Sequence, residues 1–139
     1  SIMRRILLLL VISVVLASCE SEMGNFEKVK LNGKDISGWW ACVEYDGDTC
    51  YNDVDYVLEF DGSSFTEYCS DGFPIENGYL LGCTMEDWEI DGKYLCSIKD
   101  NGDLFIAGFY SGTISVKGDK LYIDDEGDIE VYQKVKGFK

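Results

Sequence analysis

The side chains that could do chemistry in this chain are cysteines and carboxylates. It has six cysteines, 26 acidic residues and no histidine. Without His there is no imidazole base and no Ser-His or Cys-His nucleophile pair. The His ligands of most catalytic zinc sites are missing too. Acidic residues cluster at Asp46-Gly-Asp48, Asp53-x-Asp55 and Asp124-Asp125-Glu126-Gly127-Asp128. Oxygen-rich loops can hold calcium, but none of these has the spaced ligands and closing Glu of a twelve-residue calcium loop. Asp is also a favoured turn residue, and turns are the preferred reading. A carboxylate pair can cleave glycosides, but nothing in the spacing singles out a pair. The expectation is therefore no catalysis, no metal and no cofactor.

Five of the cysteines, Cys42, Cys50, Cys69, Cys83 and Cys96, lie in the body of the chain. Outside the cytoplasm such residues pair, and five cannot all pair, so one or two bridges plus buried thiols are expected. Cys42 and Cys50 flank Asp46-Gly47. A two-residue turn there sets Cys50 opposite Val43 and points Cys42 to the other face. A three-residue loop would set Cys42 opposite Cys50, a geometry a disulfide accepts. No Cys-x-x-Cys is present.

The sixth cysteine, Cys19, has a different setting. Arg4 and Arg5 precede an apolar run, Ile6 to Ala17, broken only by Ser13. A positive start, a short apolar core and small residues before a cut site make a secretory signal. The run is too short to span a bilayer, which takes about 20 residues. Leu16-Ala17-Ser18-Cys19 resembles the lipobox of bacterial lipoproteins. That resemblance implies a lipid on the Cys19 sulfur, cleavage just before it, and a place in the cell envelope, at the outer membrane on its periplasmic face or the cell surface. The expected organisation is a signal peptide at 1–18, a polar lipid-anchored tether at 19–33 and one folded domain at 34–139.

From Cys19 onward the chain has 121 residues, the length of one domain. Its formal charge is −16, against −14 for the whole sequence. Such a surface repels nucleic acid and anionic headgroups alike, so a lipid, and not the protein surface, would have to hold the membrane. It suits cationic partners. Nineteen aromatics and a single Pro argue against disorder.

The elements that position these residues are announced by a repeat. Val43-x-Tyr45-x-Gly47-x-x-Cys50 recurs as Leu58-x-Phe60-x-Gly62-x-x-Phe65, as Trp88-x-Ile90-x-Gly92-x-x-Leu95 and as Ile114-x-Val116-x-Gly118-x-x-Leu121. Asp precedes the Gly at 46, 61 and 91. Asp-Gly between alternating apolar residues signals a hairpin. The spacing predicts pairing of Trp88 with Leu95, Leu58 with Phe65 and Ile114 with Leu121. Further turns are expected at Asn77-Gly78, Asn101-Gly102 and Glu126-Gly127. The strands between them fall near 37–45, 50–60, 64–69, 79–90, 93–98, 103–110, 112–117, 120–124 and 129–135. No helical period is present. The fold class is all-β, a small antiparallel up-and-down meander whose closure would remove exposed edges.

Ile36-Ser37-Gly38-Trp39-Trp40 at the first strand resembles the Gly-x-Trp start of lipocalin-like domains, over about residues 34–135. The likeness is to the small lipocalin-like lipoproteins. It implies a lipocalin-like barrel that binds an apolar ligand or a protein partner. In that family the motif Trp packs at the closed end. Strand parity here puts Trp39, not Trp40, on one face with Val43 and Tyr45, so either a bulge shifts the register or the match is accidental. Trp39, Trp40, Trp88, Phe105 and Phe109 are the candidate ligand-binding residues; in a filled core they would simply pack. Two functions compete, with an enzyme as a third reading that the absence of His disfavours most. One is a lipid-anchored module binding an apolar ligand or partner. The other is an accessory or inhibitor lipoprotein gripping a cationic protein through acidic loops such as Ser70 to Gly78.

Overall fold

A computed structural model describes residues 21–139. In chain order the strands are β1 (Ser21–Glu22), β2 (Lys30–Leu31), β3 (Lys34–Asp35), β4 (Gly38–Tyr45), β5 (Asp48–Thr49), β6 (Val54–Asp61), β7 (Ser64–Phe73), β8 (Ile75–Glu76) and β9 (Tyr79–Leu80). A 3-10 turn, Met85–Asp87, follows, then β10 (Glu89–Ile98), β11 (Asp103–Ile106), β12 (Phe109–Lys117), β13 (Lys120–Asp125), β14 (Asp128–Lys134) and β15 (Gly137–Phe138). Among the described residues there is no α-helix. The described part is all-β and antiparallel through its main sheet.

Eight strands, β4, β6, β7, β10, β11, β12, β13 and β14, run up and down, each beside the next. The last returns to the first, Val131 opposite Glu44 through Lys134 opposite Trp40, so the sheet closes into a ring. Alternation gives the ring two faces. Trp40, Leu58, Phe60, Phe65, Leu104 and Leu121 point into it and form one core cluster. Leu58, Leu104 and Leu121 are fully buried, each stabilising the fold by roughly 1.5–3 kcal/mol. Trp39, Val43, Val57 and Val131 point outward, under a small sheet ordered β1-β15-β9-β8.

Of the expected turns, Asn101-Gly102 lies in a longer loop, where Gly102 N donates to Lys99 O at 2.9 Å, and the others divide into three groups. Asp46-Gly47, Asn77-Gly78 and Glu126-Gly127 are two-residue loops with positive φ at both positions, as a type I′ turn requires. Two more of this kind, Asn32-Gly33 and Ala107-Gly108, were not expected. At the second and fourth repeats the loop lies one residue further on. Phe60 pairs with Phe65 across Gly62-Ser63, and Val116 with Leu121 across Gly118-Asp119. The predicted pairs Leu58–Phe65 and Ile114–Leu121 are therefore corrected by two residues. A two-residue slip keeps every side chain on its face, so alternation alone cannot resolve it. Gly62 and Gly118 take the first loop position with positive φ, the glycine-first pattern of type II′.

Asp91-Gly92 is not a turn, which overturns the Trp88–Leu95 pairing. Glu89–Ile98 is one strand, with a bulge between Ile90 and Gly92 against β7. Gly in a strand interior often marks a bulge. The expected strand at 79–90 is correspondingly reduced to Tyr79–Leu80, a loop and the 3-10 turn. Thr84 caps that turn: its Oγ1 accepts from Glu86 N, and Asp87 Oδ2 accepts from Thr84 N at 2.8 Å.

Within the polar segment expected as a tether, residues 27–31 lie against the ring. Leu31 is buried in the inner cluster and Val29 packs on it. Glu27 binds the β6–β7 loop twice, donating its N–H to Asp61 Oδ1 at 2.7 Å and accepting from Gly62 N at 2.9 Å.

Gly112 sits at the bulge where Leu104 opposes it and Tyr110 opposes Phe105. Its φ is +118°, and a Cβ there would lie 2.8 Å from the Asp124 carbonyl oxygen. That oxygen belongs to the backbone and cannot swing away. Gly112→Ala is expected to cost about 1–3 kcal/mol from backbone strain alone, read as a lower urea midpoint. An unchanged midpoint would show that β12 and β13 do not approach this closely.

Candidate functional site

β4, β6 and β7 fix the ring's two ends. Near Gly38, Phe60 and Ser64 it is filled: Leu31 and Ile36 join the inner cluster beside Trp40, whose Nε1 donates to Ile36 O at 2.8 Å. The end near Tyr45, Tyr56, Ile106 and Asp128 is hollow, with a cavity of about 280 Å³. Leu58, Phe65, Leu104 and Ile123 supply apolar walls, and Glu67 and Glu130 enter from β7 and β14. A wider rim cavity of about 700 Å³ shares Tyr45, Asp46, Tyr56 and Glu130 with it and adds Asp48, Asp53 and Asp55. No Lys or Arg lines either space.

Two tyrosines bridge the apolar depth and the acidic rim. Tyr132, almost fully buried, donates its hydroxyl to Glu130 Oε2. Tyr56 shares the cavity with Glu67, and the Tyr56 and Tyr132 rings stand 6.4 Å apart. Burial first, and the neighbouring carboxylates second, hold both phenols well above their ordinary range. The site thus offers apolar wall, neutral hydroxyls and carboxylate acceptors with no protein cation beside them. A positively charged group with an apolar body would find both parts of its surface satisfied there.

The bulge anticipated as one alternative is present: Val131 pairs with Glu44 and Tyr132 with Cys42, leaving Val43 as the extra residue of β4. Trp40 and Cys42 face inward, Trp39 and Val43 outward, and past the bulge Tyr45 turns to the mouth.

None of the five aromatics chosen from sequence lines the open-end cavity. Trp40 is in the inner core at the filled end. Trp39 and Trp88 are buried in the outer cluster. Phe105 stacks edge-on against Tyr110 at 5.9 Å, and Phe109 is 77% exposed beside the Ala107-Gly108 turn. The residues missed were Tyr45, Tyr56, Glu67, Glu130 and Tyr132. Parity carried a signal for some of them. Tyr56 alternates with Leu58 and Phe60, Glu67 with Phe65, and Glu130 with Tyr132, so polar groups were due on an otherwise apolar face. Cys19, the expected lipid site, lies outside the described residues.

The five described cysteines are free thiols in this structure. Among the described residues, no group of three or more Cys, Asp or Glu could hold a metal ion. Burial pushes the Cys42 thiol up to about 12, with the nearby Cys50 and Glu130 adding to the rise, and pushes Cys96 up to about 11, from an ordinary 9.0. The unfolded chain loses these protons near pH 9 while the folded chain keeps them. Their contribution to stability is therefore complete below about pH 9 and is lost as pH climbs through about 11 and 12. Tyr56 and Tyr132 extend the fall upward, since their folded values are also raised. Thermal melts are expected to be flat up to about pH 8.5 and to drop steadily beyond about pH 9.5. A midpoint unchanged to about pH 11 would mean that these groups are solvated.

No protein-family model matches the chain, and no curated protein matches it.

Proposed function

We propose that this protein is a lipid-anchored binding module of the bacterial cell envelope. Its closed ring is read as a lipocalin-like barrel that takes its ligand at the open end. The observation that carries this reading is the uneven filling of the ring: packed core at one end, acid-lined cavity at the other. Trp40 supports the lipocalin-like assignment. It packs at the filled end, where that family's motif Trp belongs, with the Lys134 ammonium 5.0 Å from its ring. The lipobox at Leu16 to Cys19 supports the anchor, and no catalysis is assigned.

The ligand that fits best combines an apolar body with an amine or guanidinium, either a small molecule or a side chain of a partner protein. The accessory or inhibitor reading is kept for the second case, because Asp46, Asp48, Asp53, Asp55, Asp125 and Asp128 are exposed around the mouth. Its gripping surface moves, however. Ser70 to Gly78 is not a protruding loop: it continues β7 into β8, with Phe73 and Ile75 packed on the outer cluster.

Pull-down from native envelopes at low and high salt, beside native mass spectrometry, tests the proposal. A partner held by the rim should be lost as salt rises, because exposed charges are screened beyond about 8–10 Å at physiological strength. A ligand held inside should survive salt and appear as added mass. Finding neither, together with turnover of a tested glycan or peptide, would overturn the binding reading.

A further inference from the structure

Cys42 and Cys50 stand on either side of the Asp46-Gly47 turn. The turn pairs Cys50 with Val43, whose carbonyl accepts from Cys50 N at 2.8 Å. Strict alternation would then send the two thiols to opposite faces. But β5 ends at Thr49, so alternation does not extend to Cys50. Its Sγ folds back and donates to the Cys42 carbonyl oxygen at 3.1 Å. The Cys42 thiol is turned toward the Glu44 carbonyl oxygen at 3.7 Å, and both cysteines line the same rim cavity. Cys42 is only 7% exposed, whereas Cys50 is half-buried and reachable from solvent.

We propose that Cys42 and Cys50 form a disulfide at the mouth of the ring, made by exchange with a disulfide-bearing oxidant. In the envelope that oxidant is of the dithiol-oxidoreductase class; in vitro it is oxidised glutathione. The Cys50 thiol loses its proton, and the thiolate attacks one sulfur of the oxidant's disulfide. That S–S bond breaks, a mixed disulfide forms and one oxidant thiolate leaves. The Cys42 thiolate, its proton passed to solvent, then attacks the Cys50 sulfur and expels the second. The protein loses two hydrogens and two electrons, and the oxidant's disulfide is reduced to two thiols. Cys50 goes first because it is the accessible thiol. Cys42 resolves because it sits behind Cys50, shielded from outside reagents. The bond would tie Cys50 to β4 and fix one wall of the rim cavity. Any effect on ligand affinity rests on the binding reading above; the bond itself does not.

The test uses the full-length protein in detergent, equilibrated with oxidised and reduced glutathione, acid-quenched, alkylated and mapped without reduction. One bridged peptide pair joining Cys42 to Cys50 is expected, with Cys69, Cys83 and Cys96 alkylated. Cys42→Ser should trap glutathione on Cys50, because the resolving thiol is gone. Cys50→Ser should leave Cys42 unmodified. Three results would overturn the proposal: glutathione remaining on Cys50 in the unaltered chain, a bridge to any other cysteine, or both thiols recovered fully alkylated after oxidation. Mapping of the unaltered chain does not depend on either variant folding. Since the readout is a covalent link, failure to find a ligand leaves it untouched.

Discussion

Trp39→Ala is expected to cost about 3–5 kcal/mol, the range for removing a large aromatic from a packed core. That is a large part of the roughly 5–15 kcal/mol by which a domain of this kind is stable. Trp39 is fully buried and joins two layers. Its ring lies 4.6 Å from Tyr68 on the main sheet, 5.9 Å from Trp88 and 5.6 Å from Phe138 of β15. Truncation would leave a void where the small sheet meets the ring. The indole N–H, however, is buried without a partner, and an unsatisfied donor costs about 1–3 kcal/mol. Trp39→Phe removes that donor while keeping most of the ring, so it is expected to lose less than half as much. Urea midpoints of the two variants decide the matter. Equal losses would mean that the indole N–H is satisfied after all, and a small loss for Ala would mean that the outer layer is not held by this residue.

The second large effect concerns place rather than stability. Cys19→Ala is expected to move the protein from the membrane fraction to the soluble one. The acidic domain gives no electrostatic attraction to anionic lipids, so acyl chains, at about 0.8 kcal/mol per buried methylene, would carry all of the affinity. Fractionation of the variant and intact mass of the native protein are read together. A variant that still sediments with membranes, beside a native protein without added lipid, would remove the anchor.

Some of the fold was legible because it is local. Asp46-Gly47, Asn77-Gly78 and Glu126-Gly127 need only their own two residues to take positive φ. The same dipeptide at 91–92 failed as a signal because its outcome was decided from a distance. β7 is ten residues long and pairs with β10 from Glu89 to Leu95, so the chain runs straight through Asp91-Gly92 and absorbs it as a bulge. At Asp61-Gly62 the deciding contact comes from Glu27, thirty-odd residues away and inside a segment too polar to announce itself. The site was half-legible. Alternation marked Glu67 and Glu130 as facing inward, but which end of the ring is hollow depends on Leu31 and Ile36 packing at the other.

The ring's closing seam has a kinetic consequence. Trp40 and Lys134 are cross-strand neighbours although more than ninety residues separate them in the chain. The seam cannot form until nearly the whole chain is available, so synthesis or translocation from the N-terminus leaves β4 waiting with one edge bare. Folds dominated by such distant pairings mature in milliseconds to seconds rather than microseconds. During that interval the bare edges of β4 and of the growing meander are templates for other chains. A chain stopped before Asp128 would lack the strand that closes the ring and would keep those edges, which makes aggregation, rather than a smaller folded domain, the expected fate of a truncated product.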